Sequence, residues 1–208
     1  MHVIVTGGAG FIGSNLVSQL ASDDPAARIT VVDDFSSGDF RNLSGFRGDV
    51  IAAACEELDW PGRFAGSAVD CIYHLASITD TTFADQRQMV HRNVESFRRI
   101  LAFAGPARAK VVYASSGATY GQVEGVMRED QPPAPANVYG FSKCILDNLG
   151  AEANATGAAE VAGVRYFNVY GPGEAHKGRM ASMVYQLHQQ LRRGERPKVF
   201  RSGQHRRD

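Results

Sequence analysis

Residues 2–13 read HVIVTGGAGFIG. Val3, Ile4 and Val5 form a short β-branched run, suited to a strand buried on both faces. Glycines follow at 7, 8, 10 and 13, and SNLVSQLASD then places Leu16, Val17 and Leu20 at helical spacing. Strand, glycine turn and helix together make a phosphate-binding βα unit. Gly7 allows the sharp turn, Gly10 lets backbone approach a pyrophosphate, and Gly13 lets helix pack on strand. The helix N-terminus offers unpaired N–H groups and a partial positive charge. The spacing, G-x-x-G-x-x-G, is one residue longer than the common dinucleotide fingerprint.

Outward from this unit, strands and helices alternate. A second strand is expected over residues 28–33, ending on Asp33 about twenty residues past the turn, where a carboxylate takes an adenosine ribose. In isolation Asp33 reads as a turn residue; after the glycine turn the ribose role is preferred. Asp34 adds a charge that repels a 2′-phosphate, so NAD is expected over NADP, with Arg41 the one nearby cation to offset it. Further strands are expected over 47–53, 69–75 and 110–115. Helices are expected over 56–64, interrupted by Pro61, and over 85–104, with Asn93 at a polar position. Asp49, at the start of the third strand, suits an adenine edge or a turn equally. His74 reads as a packed strand residue, since no His or Cys lies at ligand spacing, and no metal site is expected. Ala76 and Ser77 are small enough for a cofactor to pass close. The alternation gives an α/β fold, a doubly wound parallel sheet with right-handed crossovers. Residues 132–135, PPAP, form an extended loop.

The 208 residues carry 22 basic and 22 acidic side chains, a balance that implies no general affinity for nucleic acid or membrane surface. Three cysteines without a C-x-x-C pair suit a reducing cytoplasm. No apolar run reaches bilayer-spanning length, and no leader is expected because the first residues enter a strand.

In an open α/β sheet, chemistry lies beyond the carboxyl ends of the strands. Ser116, closing the fifth strand, is therefore aimed at the dinucleotide crevice. Tyr139 and Lys143 stand four apart on one helix face. An ammonium there favours the phenolate, so Tyr139 is expected to titrate nearer neutrality than a free tyrosine. Ser116 can hydrogen-bond a substrate oxygen, and the trio can take a proton from an alcohol as hydride leaves its carbon.

The segments TGGAGFIG, ASSGATYG and YGFSK resemble the extended short-chain dehydrogenases/reductases that act on nucleotide sugars, over essentially the whole chain. The resemblance implies catalysis by Ser116, Tyr139 and Lys143, with Lys143 also on the nicotinamide ribose. It implies cofactor contacts from Phe11, Ile12, Asp33 and Asp34, and from Leu75, Ala76, Asn93 and Tyr166. Residues 165–187, RYFNVYGPGEAHKGRMASMVYQL, are similar to the ADP-glycero-manno-heptose 6-epimerases, and Thr81-Thr82 agree. That similarity implies Lys177 as a second acid/base, on the opposite face of the sugar from Tyr139. By spacing alone Lys177 is a solvated loop lysine. It further implies a sugar pocket from Thr81, Thr82, Asn168, Met180, Ala181 and Ser182, with Asn168 also near the cofactor and Arg207 on the nucleotide diphosphate.

The segment DDFSSGDF instead resembles NAD-using hexose epimerases, where heptose epimerases carry a lysine. The cofactor expected is NAD, with NADP the alternative. Residues 1–165 are expected to form the dinucleotide-binding domain and 166–208 the start of a truncated substrate domain. Strong dinucleotide binding and weak nucleotide-sugar binding are expected from that truncation, and a homo-oligomer from the family. The alternatives are a UDP-hexose 4-epimerase and a dinucleotide-binding fragment without turnover. The 4,6-dehydratases carry an acidic pair where this chain has Gly117 and Ala118. Arg192, Arg193, Arg196 and Lys198 read as a solvated helix end rather than a phosphate site.

Overall fold

The computed structural model describes residues 1–123 and 125–199. Six strands form one parallel sheet: β1 His2–Thr6, β2 Arg28–Asp33, β3 Asp49–Ala52, β4 Cys71–His74, β5 Lys110–Ser116 and β6 Val161–Tyr166, in the order β3-β2-β1-β4-β5-β6. The chain reverses direction across the sheet between β1 and β4, and that switch opens a crevice at the strands' carboxyl ends. In register, Val5 faces Val31 on one side and Tyr73 on the other.

The period of two in a strand divides the core into two layers. Val3, Val5, Ile29 and Val31 pack with Val17 of α1, Phe11–Asp23. On the other face Ile4, Ile72 and Val111 pack under Phe97 and Ile100 of α3, Gln86–Ala107, and Leu146 of α4, Val138–Thr156. The remaining helices are α2, Trp60–Arg63, and α5, Met183–Arg192. Short 3-10 turns span Phe40–Leu43, Gly117–Thr119 and Ala175–Met180.

Two expectations change. Pro61 does not interrupt a helix over 56–64. It occupies the first turn of α2, where a missing N–H costs nothing, behind an Asp59 cap that accepts from the Gly62 amide at 3.2 Å. Asp49 begins β3, so it lies at the end of the sheet away from the crevice, where it pairs with Arg28 at 3.0 Å. Neither an adenine contact nor a turn describes it.

Candidate active site

The glycine turn is locked by close approach. Gly7 has a left-handed φ of 68°, and a Cβ there would lie 2.7 Å from the Ala76 amide nitrogen. A Cβ on Gly13 would lie 2.1 Å from the Gly7 carbonyl oxygen. Gly10 caps α1 with no side-chain bond to the first-turn amides, which leaves those donors for a ligand.

A cleft of about 1560 Å³ runs from this turn across the strand ends. That is larger than a pocket for one drug-sized ligand and has room for a dinucleotide and a second molecule. Gly7, Gly10, Phe11, Ile12 and Gly13 line it at one end, with Asp33 and Asp34 beside them. Leu75, Ala76, Ser77 and Asn93 form the wall after β4. Ser116, Tyr139, Lys143, Tyr166 and Asn168 line the part beyond β5 and β6, and Lys177, Met180, Ala181 and Ser182 face it from the following loop. The structure does not bring Thr81 and Thr82 to the wall. Both are exposed in a turn, where Thr82 donates its hydroxyl to Asp80 at 2.6 Å. Arg207 lies outside the described residues.

Asp33 is buried, and its carboxylate accepts from the Ala9 and Phe35 amides, both at 2.8 Å. Burial pushes its pKa up, and those two donors only partly offset this. Arg41 is exposed and paired with Asp39. The cation that meets the acidic pair is instead Arg92 of α3, which bonds Asp34 and, at 2.6 Å, Glu56. Burial raises Asp34, but Ser36 and Arg92 outweigh it and hold the carboxyl below its usual range.

Lys143 is wholly buried, with Nζ donating to the Ala114 carbonyl at 2.8 Å and 5.6 Å from the Tyr139 ring centre. Burial lowers its pKa to about 8. Tyr139 differs from expectation. Burial raises its pKa, with only the Ser116 hydroxyl opposing. Lys177 extends over the Phe11 ring, 5.6 Å from its centre, which puts its charge beside the first turn of α1.

Beneath the cleft runs a buried hydrogen-bond chain. Thr6 Oγ1 accepts from the Leu75 and Ala76 amides, both at 3.2 Å, so its proton goes to His74 Nδ1 at 2.8 Å. Asn93 Oδ1 accepts from the Ile78 amide at 2.8 Å, and its Nδ2 donates to Ser142 Oγ at 3.1 Å. Ser142 in turn donates to the Tyr139 carbonyl at 2.7 Å. Asn93 thus ties the segment after β4 to the helix that carries Tyr139. His74 is packed in the core, as expected, and burial lowers its pKa to about 3.

The residues present fit a dinucleotide. The glycines leave a cradle that any Cβ would fill, and Ser115 lines the same cleft with a buried hydroxyl lacking any hydrogen-bond partner. Ser115, Arg92, Glu56 and Asp80 line the cleft without having been singled out by motif. Among the described residues no group of three His, Cys, Asp or Glu side chains could hold a metal ion. Nor is any described helix long and apolar enough to cross a membrane.

A profile of the NAD dependent epimerase/dehydratase family matches residues 3–208. The ADP-L-glycero-D-manno-heptose-6-epimerase of Helicobacter pylori is similar over 100% of this chain and 68% of its own, at 38% identity and a TM-score of 0.92. An NAD dependent NDP-hexosamine 5,6-dehydratase of tunicamycin biosynthesis is 34% identical over 100% of this chain and 66% of its own, with a TM-score of 0.83. The UDP-glucose 4-epimerase of Thermotoga maritima is 28% identical over 100% of this chain and 68% of its own, with a TM-score of 0.88. The chain therefore spans about two thirds of these proteins. With its glycine cradle, buried Asp33 carboxylate and buried Lys143 beside Tyr139, this chain belongs to the NAD dependent epimerase/dehydratase family, as an enzyme of the nucleotide-sugar epimerase type within the extended short-chain dehydrogenases/reductases.

Proposed function

We propose that this protein inverts C6 of ADP-glycero-manno-heptose through a transient keto sugar. The observation that carries the reading is the meeting of Ser116, Tyr139, Lys143 and Lys177 on one cleft with the glycine cradle. The segment HKGRMAS and the 38% identity to a heptose epimerase support the choice of sugar.

Gly7, Gly10 and Gly13 with the first-turn amides of α1 would hold the pyrophosphate of NAD, and Asp33 would take its adenosine ribose. NAD, when bound, supplies the acceptor and donor of hydride. Tyr139 takes the proton of the sugar hydroxyl while Ser116 donates to the same oxygen. Lys143 holds positive charge against the Tyr139 ring and would also take the nicotinamide ribose of bound NAD. Lys177, on the loop, handles the proton when the keto group is presented by its other face. Residues 166–199 belong to the sugar-binding part, and the enzyme works in the cytoplasm, where its three free cysteines stay reduced.

A second reading is a UDP-hexose 4-epimerase, favoured by the DDFSSGDF segment. Assays on ADP-glycero-manno-heptose and on UDP-galactose, each with added NAD, separate the two. Inversion of the heptose alone supports the first; inversion of the hexose alone replaces it with the second.

A further inference from the structure

Asp33 and Glu174 are the two buried carboxylates among the described residues, and Glu174 is only 3% exposed. It sits in the loop that carries Lys177, between three glycines with left-handed φ: Gly171 at 151°, Gly173 at 88° and Gly178 at 53°. Such a run has little conformational preference of its own. Something else must fix its path.

Glu174 does so with both oxygens. Oε1 accepts from the Gly171 amide and from the Ser182 hydroxyl, both at 3.0 Å. Oε2 accepts from the Ser182 amide at 2.6 Å. Ser182 then caps α5 by accepting from the Tyr185 amide at 3.1 Å. One carboxylate therefore joins the two ends of the loop and the start of the next helix. The enclosed loop is tied down elsewhere by Asn15, whose side chain donates to the Pro172 carbonyl at 2.8 Å, and by Asn42, 3.2 Å from His176 Nδ1. Both anchors come from the dinucleotide-binding part of the chain. The Ser182 proton is committed to Glu174, so Ser182 lines the cleft without a hydroxyl proton to offer a sugar.

We propose that Glu174 is a positioning residue, a latch that holds residues 171–182 over the cleft with Lys177 and Met180 turned toward the substrate. Its effect on turnover rests on the proposed reading of Lys177; its effect on the loop does not. Burial alone would raise the carboxyl, but the Gly171 and Ser182 donors outweigh it and keep the group ionised. Ionisation matters because the two amides approach different oxygens. A Gln would present an N–H to one of them whichever way it is turned, so an isosteric change breaks the latch without opening a void.

The test compares the parent with Glu174→Gln by amide hydrogen exchange, NAD titration and turnover of ADP-glycero-manno-heptose. The latch predicts exchange across 171–182 faster by about tenfold or more, with β1 and β5 unchanged. It predicts NAD affinity within about twofold of the parent and kcat lower by about tenfold or more. Unchanged exchange at 171–182 overturns it. So does faster exchange throughout the sheet, which would make Glu174 merely structural. So does faster local exchange with parental kcat. Lys177→Met is measured alongside: if that variant turns over like the parent, the acid/base role of Lys177 falls while the latch is still judged by the outcomes above. If the parent itself leaves the heptose untouched, the choice of sugar falls and exchange alone decides the latch.

Discussion

Lys143 donates its ammonium to the Ala114 carbonyl at 2.8 Å from a wholly buried position. The arrangement aims the charge at the Tyr139 ring and destabilises the fold. The lysine has a folded pKa of about 8 against 10.5 when free. At pH 7 the unfolded chain therefore holds this proton more tightly than the folded one does. Lys143→Met should raise the unfolding free energy by about 1–3 kcal/mol at pH 7 while abolishing turnover. The parent should regain stability between pH 8 and 10.5, narrowing the gap. Thermal unfolding of both proteins across that range checks it.

Tyr139→Phe removes the group proposed to accept the sugar's proton and leaves the cradle intact. Turnover should fall by about 10²–10⁴-fold with NAD affinity nearly unchanged. Steady-state kinetics and cofactor titration on one preparation check both halves. Parental turnover would show that another group is the base.

The buried His74 predicts acid sensitivity. Its pKa is lowered to about 3 by burial, with Lys143 adding to the effect. Below pH 6.5 the unfolded chain gains a proton that the folded one refuses, so stability falls as pH drops toward 3. The loss reaches at most about 5 kcal/mol. Denaturant midpoints from pH 7 to 4 should fall less steeply in His74→Gln, although that variant starts lower because the Thr6 bond is lost.

Asp33→Ala strands the Ala9 and Phe35 amides and removes the carboxylate proposed to accept from the adenosine ribose. NAD should bind about tenfold more weakly or worse. Arg92→Gln leaves Asp34 and Glu56 without their shared cation, which should widen the preference for NAD over NADP. Calorimetric titration with both dinucleotides tests the pair.

The cradle and the Ser116, Tyr139 and Lys143 trio were legible because each is written in a local pattern: glycine spacing, a strand end, a four-residue helical step. The doubly wound parallel sheet was legible from the alternation of strands and helices, whereas its strand order and the sixth strand, Val161–Tyr166, were not. What escaped has partners far along the chain. Arg92 lies 58 residues from Asp34, so nothing near it marks it as part of the ribose site. Glu174 escaped for a different reason: it sits in a loop with no periodicity, and its worth comes from the Gly171 amide three residues before it and the Ser182 amide eight residues after it. The raised pKa of Tyr139 was hidden too, since helical spacing gives the neighbour but not how deeply the phenol is buried.

The most direct test of the account is the fate of a single C6 epimer of ADP-glycero-manno-heptose incubated with the protein and NAD and followed by proton NMR. The account predicts a mixture of the two C6 epimers, with UDP-galactose unchanged under the same conditions. Conversion of UDP-galactose with the heptose untouched, or no change in either sugar while NAD is shown to be bound, would contradict it.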